Sequence, residues 1–597
     1  MGLNNGELRS GNFIFHAAGT AGNAFGTTPG SSGLGYGTFL LGDVSNFDRT
    51  QTQNTNAQER QKRGFFFAQD QWRATPTLTV NYGLRWDIIF PESVNGKGQG
   101  GLLDYNTGDI RIAGYGPWGT NLNVGKDWTN FAPRIGLAWQ ARPNTVFRAG
   151  YGRAYGLGWS GNNFGEVLTF SYPTQVTQSL NSATNYSSVF ALSQGPPGYT
   201  FAPIPASGNY PLPNGIEVPT RPLTIVLPTL DAWNLTMQQQ LTPTMALQIG
   251  YVGSHGIHNQ FDSSNQASNN QPTIRGFNTC SGVAGCPTGD INPLTGLPYT
   301  QSDRRPFYNG TAQTLGVTYG EPYGWTQDFR YNANQATSSY QALQVVFNKS
   351  YADGVQLMAN YTWSKARAHE SDYYFINPRA DYGNSYYNRP QAFVMNGNWN
   401  LPFGRGHKIG GDSPGWVNQI IGGFLLNGTW TWESGLPFTP SYQLCALDQD
   451  IDGQGGTLCR PNWAGPGESF QLKAGSFNPT THSVSYFTPV ALMATNGQVS
   501  GPFQRPQVAT FGNIQRDSFY GPGLINVDAS IAKTFNLPKS TTFQLTAQAF
   551  NLFNHPNLGQ PNSCVDCGGS SGLITDIVAS QNGSSMRILQ FAGKLQF

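Results

Sequence analysis

The chain has 597 residues, with 34 lysines and arginines against 32 aspartates and glutamates, so its formal net charge is +2. This balance, without a basic run interleaved with aromatics, argues against a nucleic-acid partner. Charged residues make up only 11% of the chain, and no apolar stretch is long enough for a transmembrane helix. A polar chain of this kind is still compatible with membrane-spanning strands, whose water-facing half is polar.

Alternating hydrophobicity is the main pattern along the chain. It occurs at 77–87 (TLTVNYGLRWD), 245–251, 354–364 and 543–549, where apolar side chains alternate with amides, hydroxyls and a few charges. A period of two predicts extended strands whose two faces meet different environments. We interpret the apolar face as facing lipid and the polar face as facing water.

Short turns join the predicted strands into pairs. Pro76, Pro143 and Pro243 lie in turns that link 63–74 to 77–87, 129–141 to 145–156, and 230–241 to 245–257. Asp353-Gly354 links 338–350 to 355–366, and Pro538 lies between 523–536 and 541–552. The girdles of the membrane interface are predicted at aromatics near strand ends: Trp86, Trp139, Tyr155, Trp363, Trp399, Trp430 and Trp432.

The remaining connections are long and rich in Gly, Asn, Ser, Pro and Tyr. They cover roughly 91–127, 157–228, 258–330, 367–388, 436–519 and 553–584, lengths that count against a compact soluble domain. Short turns at one rim and long loops at the other are typical of outer-membrane barrels. We therefore predict an all-β fold, an antiparallel transmembrane β-barrel of about 14 strands with short periplasmic turns and long extracellular loops.

The final strand is predicted at 587–597 (RILQFAGKLQF). Leu589, Phe591, Leu595 and Phe597 share one face, and the chain stops on an aromatic residue. A barrel needs such a strand because it seals the first strand against the last. The segment resembles the C-terminal targeting strand of bacterial outer-membrane proteins, which the barrel-assembly machinery reads.

Several segments resemble the barrel of TonB-dependent transporters of the Oar-like type, and they follow the order of that family. They are GFFFAQDQWRATPTLTVNYGLRWD (64–87), NFAPRIGLAWQ (130–140), FRAGYGRAYG (147–156), WNLTMQQQL (233–241), IGYVGSHGIH (249–258), SYQALQVVFNKSYADGVQLMANYTWSKA (339–366), ESGLPFTP (433–440) and FNLFNHPNLGQP (550–561).

The resemblance implies a protein of the bacterial outer membrane that takes up a large or scarce nutrient by energy-coupled transport. Members of this family carry a signal peptide, a plug and a TonB box, none of which is recognisable here. We therefore expect residues 1–45 to be a partial strand or loop and residues 46–597 to be the C-terminal portion of the barrel, a fragment of about 14 strands from a barrel of about 22. The expected partners are outer-membrane lipid, the barrel-assembly machinery, a nutrient ligand, and TonB only through the missing N-terminal region.

Two other functions stay open from the sequence. One is a plug-free outer-membrane porin or adhesin barrel, and the other is a secreted carbohydrate-binding β-protein. No catalytic motif with supporting context is present, so we expect no enzymatic activity and no cofactor.

The cysteines form three close pairs in loop sequences, which suggest disulfides formed in an oxidising compartment. The candidates are Cys280 with Cys286, Cys445 with Cys459, and Cys564 with Cys567. Between the second pair, Asp448, Asp450 and Asp452 resemble the opening of a calcium loop, although Cys459 stands where an EF-hand needs glutamate. A structural calcium ion and a solvated acidic loop tip are the two interpretations.

Loop aromatics are candidates for stacking on a flat ligand such as a sugar ring, and the alternative is that they pack the loops together. The strongest candidates are Trp118, Trp128, Tyr323, Trp325, Tyr373 and Tyr374. Five charged strand residues are predicted to face the lumen as an ion-pair lattice: Arg85, Asp87, Arg134, Arg148 and Arg153. His255 and His258, three apart at a strand end, are interpreted as rim residues and not as joint metal ligands.

Overall fold

The computed structural model of the protein describes most of the chain. The described residues are 10–21, 33–53, 57–156, 166–169, 172–184, 187–224, 226–259, 270, 300, 302–308, 323–329, 331, 334–369, 378–442, 460–463, 474–487, 503–504, 506, 512–538, 540–578 and 586–597.

Thirteen long strands form one antiparallel sheet in which each strand pairs with its neighbour in this series. They are β1 (Arg63–Thr75), β2 (Leu78–Ile89), β3 (Phe131–Arg142), β4 (Thr145–Tyr155), β5 (Thr229–Thr242), β6 (Met245–Asn259), β7 (Ala336–Ala352), β8 (Val355–Ala368), β9 (Gln391–Asn400), β10 (Phe424–Glu433), β11 (Leu524–Asn536), β12 (Thr542–Phe550) and β13 (Ile588–Gln596). A two-residue strand, Gly383–Asn384, pairs with β8 and makes the sheet 14-stranded. The predicted all-β antiparallel fold is confirmed, and among the described residues the sheet is open at β1 and β13.

The predicted tight turns all lie at one rim of the sheet, here called the turn rim, and the opposite rim is the loop rim. Two residues separate β1 from β2, β3 from β4, β5 from β6, and β7 from β8. In the last of these turns Asp353 has φ 53° and Gly354 has φ 78°. Two successive residues in the left-handed region suit the twist of a two-residue hairpin, which explains the Asp-Gly sequence.

One connection at the turn rim is long and is not among the tight turns predicted from the sequence. Residues 401–423 join β9 to β10 and contain the helix Gly415–Ile421, whose end is followed by Gly422 and then by Gly423 with φ 74°. This segment begins with Leu401-Pro402, as the β11–β12 turn begins with Leu537-Pro538, but it runs for 23 residues, so no tight-turn pattern marks the hairpin.

The pairing register separates the two faces of the sheet. Tyr82, Ile135, Tyr151 and Trp233 are successive cross-strand partners on one face, and the adjacent row on the other face begins with Asn81. We call the first face, which carries the apolar side chains, the outer face, and the second the inner face. The predicted girdle residues all follow the alternation onto the outer face: Trp86, Trp139, Tyr155, Trp363, Trp399, Trp430 and Trp432.

The large buried clusters lie in the loops and not between layers of strands. The loops that follow β2, β4 and β6 share cores around Leu102, Leu103, Leu227 and Trp325, and we call this assembly the first cap. The loops that follow β8, β10 and β12 form the second cap, with a core around Phe503. Residues 10–21 and 33–53 join the loop after β4 through a third cluster.

Short elements within and around the caps complete the described structure. The short strand pairs are Asn12–Ile14 and Gln175–Asn181 with Asn46–Thr52; Asp43–Val44 with Phe190–Ala191; Glu59–Arg60 with Ser93–Val94; Gly101–Asp104 and Asn209–Pro211 with Asp109–Ile112; Pro437–Phe438 with Phe519–Tyr520; Asn462–Trp463 with Phe503–Gln504; and Phe477–Asn478 and Leu573–Ile574 with Ser483–Ser485. The helices are Gly35–Leu41, Glu166–Thr169 and Gly415–Ile421, with 3-10 turns at Ala17–Thr20, Ser302–Arg304, Pro378–Ala380 and Gly568–Ser570. None of the helices in the described ranges has the length and apolarity that a membrane crossing requires.

Candidate functional site

The inner face of β1–β4 is basic. Arg85 and Arg134 line a trough of about 660 Å³, together with the exposed ring of Phe67. Arg85 Nε donates to Asp87 Oδ1 at 2.5 Å, and Arg148 donates to the amide oxygen of Gln238 on β5. Asp70 lines the same trough and accepts a hydrogen bond from the Tyr82 hydroxyl at 3.0 Å, so Asp70 and Asp87 offset part of the positive charge of this part of the wall.

The inner face of β5–β13 is dominated by amides. Its charged side chains are Glu433, Asp528 and Lys594, and Glu433 is paired with Arg389 at 2.9 Å. The amides on this face include Asn234, Gln238, Gln240, Gln248, Gln344, Asn348, Gln356, Asn360, Asn396, Asn398, Asn400, Asn427, Asn526, Gln544, Gln548, Gln590 and Gln596. The wall is thus divided into a basic part and a neutral hydrogen-bonding part.

Some of these amides are linked across strands. Asn398 Nδ2 donates to Gln356 Oε1 at 3.2 Å, and Asn427 Nδ2 donates to Ser530 Oγ at the same distance. They line a trough of about 380 Å³. Each primary amide has two donor hydrogens and an acceptor oxygen, so a single cross-strand bond leaves capacity for water, a polar solute or another segment of protein.

The register tests the predicted lumen-facing charges. Arg85, Asp87, Arg134 and Arg148 lie on the inner face as predicted. The prediction for Arg153 is wrong, because Arg153 follows Tyr151 by two positions on β4 and therefore shares the outer face with it. Arg153 pairs there with Asp231 through two hydrogen bonds of 2.8 Å.

The loop aromatics divide into buried and exposed members. Trp325 is 1% exposed, its ring centroid lies 4.4 Å from that of Tyr323, and its Nε1 donates to the carbonyl of Leu212 at 3.0 Å. Trp118 is partly buried against the first cap and donates to Asn209 Oδ1 at 2.6 Å. These contacts favour the packing interpretation for Trp118, Tyr323 and Trp325.

Trp128 lies apart from the cap cores. It is 45% exposed and packs beside Trp86 at the loop rim of the outer face. Tyr373 and Tyr374 lie outside the described residues. Ligand stacking stays a prediction for these three aromatics.

The cysteine and calcium predictions fall largely outside the described residues. Cys564 and Cys567 are joined by a disulfide with a Cα–Cα distance of 5.6 Å. The other named positions, Cys280, Cys286, Cys445, Cys459, Asp448, Asp450 and Asp452, lie outside the described part of the chain. The structural calcium ion stays a prediction.

Buried ion pairs lie within the caps and were not predicted from the sequence. Arg221 Nη1 donates to Glu92 Oε2 at 2.9 Å, and the two side chains are 0% and 3% exposed. In the second cap Asp381 is buried against Arg516 at 3.3 Å and Arg460 at 3.7 Å. Nothing in the local sequence signals these pairs, because the partners lie more than 75 residues apart.

A carboxyl group in the first cap has a perturbed pKa. Asp109 faces Asp104 across a short hairpin. Burial, and to a smaller extent the charge of Asp104, raise the pKa of Asp109 above its ordinary value. The Asp104 carboxylate itself accepts a hydrogen bond from Arg111, with 2.6 Å between Arg111 Nη2 and Asp104 Oδ2.

An antiparallel wall with an apolar exposed face, a polar inner face, tight turns at one rim and capped loops at the other defines an outer-membrane β-barrel protein. Residues 2–590 match the family model described as "Outer membrane beta barrel domain", and the chain belongs to this family. The protein is therefore located in the outer membrane, and the secreted alternative is set aside.

Comparison with solved structures gives distant matches. They include the outer membrane transporter YddB from Escherichia coli (9% identity, TM-score 0.36, covering 92% of this chain and 59% of that one) and the ferric preacinetobactin receptor BauA from Acinetobacter baumannii (9%, 0.35, 92% and 43%). The ferric-catecholate import receptor Fiu from E. coli K12 is a third (10%, 0.33, 92% and 50%). The chain spans 43 to 59% of the length of these three proteins. A search of curated proteins finds no match.

Proposed function

We propose that the chain forms most of the wall of a TonB-dependent transporter of the Oar-like type, which imports a large or scarce nutrient across the outer membrane. In this proposal the inner face borders the transport path, and the caps form the external surface at which the nutrient binds. The plug and the TonB box belong to a further part of the polypeptide.

The observation that carries the proposal is the direction of the two edge strands. β1 and β13 both run from the loop rim to the turn rim, because twelve successive antiparallel pairings separate them. Pairing these edges directly would make a parallel contact. An entirely antiparallel barrel therefore needs an odd number of further strands, and about nine would give the 22 strands of plugged transporters.

The free edges also need partners on energetic grounds. Unpaired backbone N–H and C=O groups cost several kcal/mol each in hydrocarbon. A plug-free porin of these strands alone would leave two such edges or a parallel closure. A larger barrel closed by additional strands removes both problems, and a lumen of that size needs a plug to stay sealed.

Two measurements on the producing cell test this proposal. The outer membrane is fractionated, and the intact polypeptide that carries the peptide 588–597 is identified by mass spectrometry and matched to the upstream DNA sequence. We expect a polypeptide well above 64.8 kDa, the mass of this chain. Uptake of any nutrient whose import requires this gene should stop when a protonophore collapses the proton gradient.

A porin would give the opposite results. The proposal is wrong if the membrane-inserted polypeptide has the mass of this chain, conducts ions in planar bilayers without a plug, and supports uptake that a protonophore does not change. An intact but non-conducting barrel with protonophore-sensitive uptake supports it.

A further inference from the structure

One carboxylate lies in the middle of the apolar band of the outer face. Asp70 on β1 pairs with Tyr82 on β2, and both side chains therefore share this face. Although Asp70 also borders the inner trough, the alternation along β1 places its side chain between Ala68 and Trp72 on the outer face. Tyr82 is the third of the five side chains that β2 presents here between the turn rim and the girdle: Leu78, Val80, Tyr82, Leu84 and Trp86.

The other outer-face charges of the long strands lie near a rim. Asp70 is instead the eighth of the 13 residues of β1. Near the loop rim are Arg153, Asp231, His255, Lys365 and Arg367, and near the turn rim are Lys349 and Lys533. The position of Asp70 therefore differs from that of the rim charges, which water or lipid headgroups can reach.

The contacts of the Asp70 carboxylate are all with neutral groups. The Tyr82 hydroxyl donates to Oδ2 at 3.0 Å, and the backbone N–H of Gln71 donates to Oδ1 at 2.8 Å. In the part of the chain that the structure describes, no lysine, arginine or histidine pairs with this carboxylate. Ionisable side chains at this depth of a membrane are rare and are usually paired with an opposite charge.

The missing cation can approach only from the free edge of β1. On the other side of Asp70, β2 is already paired and presents Val80, Tyr82 and Leu84 to this face. Side chains directly opposite each other on antiparallel neighbours have Cβ atoms about 4.5–5.5 Å apart. A lysine or arginine on the strand that closes this edge therefore reaches the Asp70 carboxylate.

Neither the other free edge nor a second copy of β1 supplies this cation. The outer face of β13 consists of Leu589, Phe591, Gly593 and Leu595. The outer face of β1 itself consists of Gly64, Phe66, Ala68, Asp70 and Trp72, so a second copy would add another carboxylate. The charge of Asp70 thus disfavours closure by β13 and edge-to-edge pairing of two copies.

We infer that the strand that closes the free edge of β1 carries a lysine or arginine opposite Asp70 on the outer face. This inference rests on the proposed function, in which further strands complete the barrel. A shift of the new strand by two residues keeps its apolar side chains facing lipid, so hydrophobicity alone does not choose between such registers. The ion pair does choose, because any other register leaves both charges in the membrane without a partner.

The sign of the effect of Asp70→Leu on folding tests this inference. The intact polypeptide is refolded into phospholipid vesicles, and urea titration of its heat-modifiable gel band gives the folding equilibrium constant. Asp70→Leu should lower this constant about 30- to 900-fold, because it leaves a lysine or arginine unpaired near the bilayer midplane. If no cation faces Asp70, the constant should rise instead, because leucine removes an uncompensated charge from lipid. Ala68→Leu is the matched control on the same face of β1, and it should not lower the constant.

A cysteine pair and a charge exchange identify the partner residue. Asp70→Cys, combined with a cysteine at the outer-facing lysine or arginine of the closing strand, should form a disulfide within one polypeptide. Asp70→Lys should lower the folding constant, because it brings two cations together. Replacing the partner cation by glutamate in the same polypeptide should restore most of the loss, which a variant that simply cannot fold would not show.

The outcomes separate this inference from the transporter proposal. A larger polypeptide in which Asp70→Leu raises the folding constant, or in which the residue that cross-links to position 70 is uncharged, overturns the inference and leaves the transporter proposal standing. A membrane-inserted polypeptide with the mass of this chain overturns both. A disulfide between two copies of the Asp70→Cys variant assigns the free edge to a second copy and also overturns the inference.

Discussion

Replacement of Trp325 by alanine distinguishes a packed loop core from a ligand surface. Trp325 is 1% exposed, and its ring lies 5.6 Å from Phe307 and 5.0 Å from Phe329 between centroids. Removing a buried tryptophan costs about 3–5 kcal/mol, from lost burial and the cavity left behind. The unpaired carbonyl of Leu212 adds to this cost because it loses its indole donor.

Hydrogen exchange measured by mass spectrometry is the appropriate assay, since the wall dominates any global melting curve. A loss of 3–5 kcal/mol corresponds to roughly 150- to 5,000-fold faster exchange of cap amides that open locally. Peptides from 101–112 and 209–218 should show this change, and peptides from β7 and β8 should not.

Tyr386→Ala is the control, because Tyr386 is 65% exposed and its loss should leave exchange in the first cap unchanged. The packing argument is refuted if Trp325→Ala exchanges like the wild type in the first cap and loses only ligand binding. That result would assign Trp325 to the ligand surface that the sequence alone also allowed.

Three further predictions concern the caps and the last strand. Arg221→Met should destabilise the first cap by about 3–5 kcal/mol, because it leaves the buried Glu92 carboxylate without its cation. Adding Glu92→Leu should restore the resistance of the cap to proteolysis. A double variant that is cleaved as fast as the single variant would contradict this prediction. Asp109 has a pKa raised by burial and Asp104, so its contribution to cap stability is lost as pH rises through that pKa. Asp109→Asn should therefore exchange more slowly than the wild type at pH 7, and the difference should disappear at about pH 3, below the ordinary carboxyl pKa of 3.8. Phe597 ends the strand predicted to be recognised by the barrel-assembly machinery, so Phe597→Ala should lower the amount of protein in the outer membrane of cells. Its ring is 96% exposed, so the stability of the refolded protein should not change. Equal losses in both measurements would indicate that the ring has a packing role instead.

The strands and their faces were predictable from sequence because their signals are local. Alternation at 77–87 and 354–364 marks strands whose register is fixed by which side chains meet lipid. Asp353-Gly354 specifies its own hairpin, since glycine and aspartate tolerate the left-handed backbone that a two-residue turn needs. The connection 401–423 begins with Leu401-Pro402 but is 23 residues long, so no tight-turn pattern marks the hairpin that it forms.

Arg153 shows how a face assignment fails. Its charge suggested the lumen, but its position two residues after Tyr151 places it on the outer face. At the centre of the membrane band that arginine would be prohibitively costly, whereas at the loop rim it is compensated by Asp231. Residue type alone is therefore a poor guide to orientation near the ends of membrane strands, and the alternation is the better one.

The sequence by itself determined the strand periods, the turn rim, the loop rim and the membership of an outer-membrane class, because each depends on residues close together in the chain. The tertiary structure decided which loops share a core, that Arg221 and Asp381 are buried with distant partners, and that Trp325 packs inside the first cap. It also decided that the inner wall divides into a basic and an amide part. These features join residues tens to more than a hundred positions apart, and their contacts follow from cross-strand register and loop packing, which no local pattern encodes.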